Sequence, residues 1–318
     1  MNRPTLEDVA ARAGVGRGTA SRALTGAPNV AAYTRQRVLE AAAELGYAAD
    51  ATARALAGGR GDRVAIVSLV HDWSPEHDPF LASLTAGAAT AAAEAGLAVT
   101  LHRVPVGSGL SAIADDRRLA GLVIVNPVPE ALDALPAAVL RRTVTLGRCR
   151  TDVTSVDMDN IGGSLQALAH LLSRGRRRIL AMVGPETMPC AAERLSAYAE
   201  VMEGHGLRPS SVRSAPRRGS ATAAFAHLPD AVPPDAVFAS HEEQGHALLA
   251  ICARRGWSVP DDVEIVCFDD FPAPAGTRGY TSLSSVTPQI GATAVALLST
   301  GSPPDGIHPR IPVTVLTP

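Results

Sequence analysis

From residue 63 onward the chain alternates short apolar runs, rich in Val, Ile and Ala, with segments of helical length, and it does so in two successive series. The runs at 64–70, 97–104, 121–125, 144–146 and 154–156 read as strands, with helices over 80–96 and 110–119 between them. A helix over 161–174 opens the second series, with strands at 179–183, 236–239 and 264–268 and helices over 191–204 and 243–255. Strands that are apolar along their whole length are buried on both faces, and a helix between successive strands makes them parallel. The pattern predicts an α/β body of two Rossmann-like lobes, each a parallel sheet covered by helices on both faces. Ligands in such sheets bind beyond the carboxyl ends of the strands, which puts the expected site in the cleft between the lobes.

The first sixty residues follow a different period. Thr5 followed by Asp8 resembles a capping box, and Leu6, Val9, Ala10 and Ala13 recur as i, i+3, i+4, i+7. Gly14 ends that helix and Val15 begins a tight turn. A second helix over 17–25 buries Ala20, Ala23 and Leu24, and a third over 32–45 presents Val38, Ala42 and Leu45 before stopping at Gly46. A short fourth helix over 50–57 runs into Gly58-Gly59-Arg60-Gly61, the clearest linker in the chain. Two short helices joined by a Gly-containing turn form a helix-turn-helix by spacing. Its second helix presents Arg17, Gly18 and Arg22; an arginine can bond bidentately to guanine O6 and N7. The hydroxyls of Thr19 and Ser21 suit phosphates, contacts that set register rather than sequence. The plainer alternative is an ordinary helical hairpin capping a larger domain. The expected division is a helix-turn-helix head over 1–48, a short helix and linker over 49–61, and a two-lobed domain over 62–318.

Composition narrows the class further. The chain has 318 residues, room for two or three domains at about 100–200 residues each. Eight arginines meet five acids in residues 1–60, a surplus of three within an overall charge of −2, so a basic head sits on a mildly acidic body. There is no lysine, so every basic side chain that could meet a phosphate is an arginine. No apolar run approaches the ~18–20 residues of a membrane helix, and Met1-Asn2-Arg3-Pro4 does not lead into a secretory signal. The four cysteines are scattered without a C-x-x-C pair, which argues against a zinc site or disulfide framework and for a reduced, cytoplasmic protein. His241 and His246 flank two glutamates but stand at i, i+5 rather than the i, i+4 of a zinc protease, and a loop holding His71, Asp72, His77 and Asp78 reads as solvated. No catalytic constellation, metal site or cofactor motif is predicted, and the chain reads as no enzyme.

The chain resembles the LacI/GalR family of bacterial transcriptional repressors, which implies a repressor. The resemblance is carried by the head from Thr5 to Leu24, by Thr34-Arg35-Gln36-Arg37-Val38-Leu39 through Leu45-Gly46-Tyr47, and by Ala53-Arg54-Ala55-Leu56-Ala57. Further along lie Asp159-Asn160 with Gly163, His170-Leu171-Leu172, Glu193-Arg194-Leu195, Val259-Pro260-Asp261-Asp262-Val263 and Phe268-Asp269-Asp270. It implies a periplasmic-binding-protein-like body behind an all-α head, with DNA binding by residues 1–48, a hinge over 49–61, and effector binding and dimerisation by 62–318. It implies that Arg17, Gly18 and Arg22 face major-groove base edges while Thr19, Ser21, Asn29, Thr34 and Tyr47 approach the backbone. It also implies a hinge helix, with Arg54 in the DNA-binding set, whose Leu56 wedges into a minor-groove step.

The same resemblance lines the cleft with Asp78, Phe80, Arg148, Arg194, Ser240, His241 and Asp269. A forked donor and an acceptor across a cleft, Arg194 and Asp269, suit a small polar effector, with sugars and related metabolites among the candidates. The implied partners are a double-stranded, pseudopalindromic operator and a second copy of the chain, with no membrane. The C-terminus carries no heptad extension, which favours a homodimer over a tetramer. Several residues depart from the family pattern: Gly16 and Gly18 at the recognition helix, Ala31 in place of a capping Ser, Ala49-Asp50 before the hinge, and His241-Glu242 where Asn-Asp is usual. A solute-binding receptor of the periplasmic type shares the two-lobed fold and is the alternative; the basic head and missing export signal count against it.

Overall fold

The computed structural model describes residues 4–24, 29–47, 61–72, 74, 78–215, 219–226, 234–270, 279–299, 303 and 305–317. Arg54, Leu56 and the helix expected over 50–57 lie outside the described residues, as do Thr25 and His77. The chain divides into two units, Met1–Asp62 and Arg63–Pro318.

The head is three helices, α1 (Leu6–Arg12), α2 (Arg17–Leu24) and α3 (Ala32–Glu44). The capping box forms as read: Thr5 Oγ1 accepts from the Asp8 amide at 3.3 Å, and Asp8 Oδ2 accepts from the Thr5 amide at 2.8 Å. These bonds hold the Asp8 carboxyl below its ordinary value. Gly14 makes the turn in the left-handed region at φ 63°. The core is built mostly from alanine, with Ala10, Ala13, Ala20, Ala23, Ala41 and Ala42 around Val9 and Val38, so the helices approach closely. Arg37 Nη2 donates to Ala13 O at 2.6 Å and Arg35 Nη1 to Ala23 O at 3.3 Å. Thus α3 satisfies carbonyls at the C-terminal ends of the other two helices. Helix α3 starts on Ala31 without a side-chain cap, which forgoes about 1 kcal/mol relative to Ser.

In the second unit the first lobe runs β1 (Arg63–Val70), α4 (Pro79–Glu94), β2 (Ala98–Pro105), α5 (Ser111–Ala114), β3 (Leu119–Val125), α6 (Pro129–Asp133), α7 (Ala137–Leu140), β4 (Thr143–Leu146) and β5 (Ser155–Met158). The second lobe follows as α8 (Asn160–Ser173), β6 (Ile179–Val183), α9 (Pro189–Gly204), β7 (Ser210–Arg213), α10 (Ser220–Ala226), β8 (Ala236–Ala239), α11 (Glu242–Arg255), β9 (Glu264–Cys267) and β10 (Thr281–Leu283). The chain then returns to the first lobe with α12 (Thr287–Ser299) and β11 (Arg310–Ile311) and ends in the second with β12 (Val315–Leu316). The sheet orders are β11-β5-β4-β3-β1-β2 and β12-β10-β9-β8-β6-β7, and every pairing is parallel except β10 with β12.

Two features differ from the sequence reading. The helix expected over 110–119 is the single turn α5, because Leu119 is buried as the first residue of β3 and pairs with Arg63; its place in the sheet outweighs its helical propensity. The return of α12 and β11 to the first lobe has no counterpart in a reading of two consecutive runs. Helix α12 packs on α4 with almost no side chain between them. A Cβ on Gly87 would lie 2.0 Å from Pro288 O, and one on Gly291 2.2 Å from Leu84 O.

Three crossovers therefore join the lobes: β5 to α8, β10 to α12, and β11 to β12. They are bonded to one another, with the Asp159 amide donating to Ile311 O and the Ser284 amide to Thr314 O, both at 2.8 Å. At the far end of the second lobe, buried Glu264 accepts from Arg174 Nε at 2.6 Å and Arg176 Nε at 2.9 Å and lies 3.1 Å from His170 Nε2. Burial alone would push this carboxyl up; the two arginines hold it below its ordinary value.

Candidate functional site

On the head, Arg17, Gly18 and Arg22 are exposed, and Thr19 and Ser21 are half-buried beside them. Positions 17, 18, 21 and 22 fall on one face of α2 by helical spacing. Arg17 Nε pairs with Glu7 Oε1 at 2.7 Å, both side chains well exposed. Such a pair is worth little in water, which leaves the guanidinium available to a base edge. A Cβ on Gly18 would meet only the tip of Arg22 at 3.9 Å, so this stretch of α2 offers bare backbone for close approach. Asn29 is exposed, Thr34 half-buried near the start of α3, and Tyr47 packs partly against the alanine core.

In the second unit Ser240, His241 and Asp269 gather around Arg194. This arginine is 2% exposed on α9, so its guanidinium is held inside the fold. Its Nε donates to Asn160 Oδ1 at 2.9 Å, Nη1 donates to the Ser240 carbonyl, and Nη2 lies 3.1 Å from Met158 Sδ. The guanidinium carbon sits 3.6 Å from the centroid of the Phe268 ring, a cation–π contact made stronger by exclusion of water. Phe268 rests edge-on against Phe238 at 6.0 Å, and Phe238 stacks on Tyr198 at 6.2 Å. This aromatic column holds the arginine in place from below.

Ser240 and His241 follow β8. Their amides donate to Gln244 Oε1 at 2.9 and 3.2 Å, while Gln244 Nε2 donates to Ser214 O at 2.9 Å. The Ser240 carbonyl is thereby aimed at Arg194. Burial, helped by the field of Arg194, pushes His241 down to about 3, so its imidazole is neutral at neutral pH. Asp269 follows β9 in the left-handed region at φ 69°, a conformation few non-glycine residues adopt outside sites. Burial pushes its carboxyl up, Arg194 opposes that, and the Asp78 carboxylate adds to it. Asp78 belongs to the first lobe, where its Oδ1 caps α4 by accepting from the Leu81 amide at 2.9 Å; burial raises its carboxyl as well. Carboxylates from both lobes thus face the same space. His241 Nε2 and Asp269 Oδ1, both near Arg194, are buried and make no hydrogen bond.

The structure brings Arg194, Ser240, His241, Asp269 and Asp78 together, with Phe80 half-buried against the first-lobe core beside Asp78. Arg148 is exposed beyond β4, where its charge acts on His308. Four participants had no predicted role: Asn160, Asp157, Gln244 and Phe268. Asn160 and Phe268 stood inside quoted motifs, but which group each touches is a matter of tertiary packing. The two histidines of the zinc-like segment part company, since His246 Nε2 lies 3.1 Å from Tyr280 Oη while His241 starts α11. Among the described residues no cluster of three or more His, Cys, Asp or Glu could hold a metal ion, and no helix is long and apolar enough to cross a membrane.

A helix-turn-helix unit followed by two crossover-linked parallel-sheet lobes, with buried polar groups converging between them, defines a ligand-responsive DNA-binding regulator. Residues 5–50 match the profile of bacterial regulatory proteins of the lacI family, and residues 168–317 match a periplasmic binding protein-like domain. The HTH-type transcriptional regulator CelR of Thermobifida fusca is 34% identical over 93% of this chain and 91% of its own. The HTH-type transcriptional repressor CytR of Escherichia coli K12 is 28% identical over 92% of this chain and 88% of its own. Among solved structures, a CelR–cellobiose complex superposes with a TM-score of 0.69 at 31% identity, covering 99% of both chains. A Lac repressor dimer bound to operator and an anti-inducer shares the fold, with a TM-score of 0.76 at 23% identity over 99% of this chain and 98% of that one. The chain belongs to the lacI family of bacterial regulatory proteins. It is a DNA-binding transcription regulator rather than an enzyme, and this assignment sets aside the solute-receptor alternative.

Proposed function

We propose that the regulator reads a pseudopalindromic operator as a homodimer, and that an uncharged, hydroxyl-rich small molecule bound between the lobes switches its affinity for DNA. Arg17, Gly18 and Arg22 read base edges; Thr19, Ser21, Asn29, Thr34 and Tyr47 engage the backbone, and Arg54 and Leu56 act from the hinge. Asp78, Phe80, Arg148, Arg194, Ser240, His241 and Asp269 form the effector site. The protein works in the cytoplasm, where its operator is.

One observation carries the effector reading: Asp269 Oδ1 and His241 Nε2 are buried near Arg194 without a hydrogen bond, and the Asp78 carboxylate acts on Asp269 from the other lobe. An unpartnered carboxylate oxygen and an unpartnered imidazole nitrogen favour a ligand whose groups both donate and accept. Two carboxylates facing the same space disfavour an anion, so hydroxyl groups fit better than phosphate or carboxylate. Disaccharides are the first class to test, because the relative CelR is seen with cellobiose.

The test is fluorescence anisotropy of a labelled duplex from the regulator's own promoter region, titrated with the full chain and then with cellobiose, other disaccharides and sugar phosphates. Binding to one duplex over bulk competitor, changed by a neutral sugar and unaffected by its phosphate, is the expected result. Sequence-independent binding would overturn the operator reading, and a response to anionic ligands alone would overturn the effector reading. The DNA-bound and free states must differ in their affinity for the effector, or no switching follows.

A further inference from the structure

We propose that Asn160 is a positioning residue that couples the orientation of Arg194 to the angle between the lobes, through a latch made by Asp157, Glu193 and Arg310. The link to effector response rests on the reading of Arg194 as an effector-site residue; the latch itself does not.

Asn160 is fully buried at the first crossover. Its carbonyl oxygen accepts from Arg194 Nε at 2.9 Å, while its amide nitrogen donates to Asp157 Oδ2 at 2.9 Å and lies 3.3 Å from Glu193 Oε2. A side-chain amide carries donors at one end and acceptor lone pairs at the other. In this orientation each end meets its complement. Turned over, it would set its N–H groups against a guanidinium and its oxygen against two carboxylates, so the network itself assigns the amide's sense.

The two carboxylates belong to different lobes: Asp157 to β5 of the first, Glu193 to α9 of the second. Arg310, on β11 of the first lobe, sits in register with Asp157 and donates through Nη2 to Glu193 Oε1 at 2.9 Å. The first lobe thus grips the second twice, by Arg310 on Glu193 and by Asp157 on the Asn160 amide. Hydrogen bonds weaken steeply once lengthened or bent. Rotation of one lobe against the other separates Asp157 from Glu193, and the Asn160 amide cannot then follow both. Turning toward either, it withdraws its oxygen from Arg194 Nε. Asp and Leu, both near Asn in size, cannot make this connection: one would add a third carboxylate and the other offers no polar end.

The test uses the full chain labelled with 15N-arginine. The Arg194 Nε–H resonance is identified by its loss in Arg194→Lys, and its exchange with solvent is measured. The wild type shows slow exchange. Asn160→Leu raises the rate by about tenfold or more, as loss of one buried hydrogen bond implies. The decisive variants are Arg310→Met and Glu193→Gln, which alter no recorded partner of Arg194 yet raise the same rate several-fold. Lower melting temperatures with unchanged Arg194 exchange in both would mean a merely structural ion pair and overturn the proposal. Both positions are partly exposed, so the test stands even where Asn160→Leu fails to fold. Failure of cellobiose to bind the wild type would count against the proposed effector and leave the arginine-exchange result standing.

Discussion

Asp157→Asn isolates the energetic consequence of burying a carboxylate at the crossover. Burial pushes Asp157 up to about 6 from an ordinary 3.8, against the opposing field of Arg194 and its bonds from Met158 and Asn160. A group whose folded-state value is raised binds more protons folded than unfolded between the two values, so stability falls as pH rises through that window and is level above it. At about 1.4 kcal/mol per pH unit at full slope, the wild type should lose about 2 kcal/mol between pH 4.5 and pH 8 from this residue alone, most of it by pH 6. Asparagine at this position cannot titrate. Its amide also leaves Asn160 with one acceptor fewer, but that offset is independent of pH. The assay is urea unfolding of both proteins at intervals from pH 4.5 to 8, reading the difference in stability rather than either curve. The wild type should weaken relative to the variant mostly below about pH 6 and run parallel well above it. A difference that is flat across the range, or that moves the other way, would show that Asp157 is not held as a buried, reluctant carboxylate.

Arg22→Ala should relax base preference at one operator position, with a loss of about 1–3 kcal/mol there; selection from a randomised duplex library reads this out, and unchanged selectivity rejects the assignment. Thr5→Ala removes the acceptor for the Asp8 amide and should destabilise the head by about 1 kcal/mol, seen as faster amide exchange in α1. Gly87→Ala drives a methyl group to within 2.0 Å of the Pro288 carbonyl oxygen; helix backbones must separate, at about 3 kcal/mol or more, and the melting temperature of the lobes should drop accordingly. Asp269→Asn should weaken binding of a neutral disaccharide while leaving operator affinity without effector unchanged, a separation that titration by anisotropy can resolve.

The sequence made the local grammar legible because it is written at short range. Thr5 and Asp8 are three residues apart, and the β6 and β8 strands are uninterrupted apolar runs whose ends match the structure. The failures arise where distant chain decides. Leu119 looked like the last residue of a helix until its pairing with Arg63 placed it in a sheet. Helix α12 has no counterpart in the sequence reading, and its return to the first lobe depends on two glycines that let it touch α4, a fact of three dimensions. At the site, Arg194 and Asp269 were reached through the resemblance, and their chemistry supported it. Asn160 was not, because an asparagine after an aspartate reads as a helix start, and only packing reveals that it faces two carboxylates and a guanidinium.

The last two strands have a consequence for how such a protein can be cut or extended. Because β11 closes the edge of one sheet and β12 the edge of the other within seven residues, loss of residues 310–316 injures both halves at once. Neither half is a self-sufficient module that could be borrowed on its own. A fusion partner appended there would hang from the seam about which the halves turn, where its bulk or drag would be felt by the switch itself.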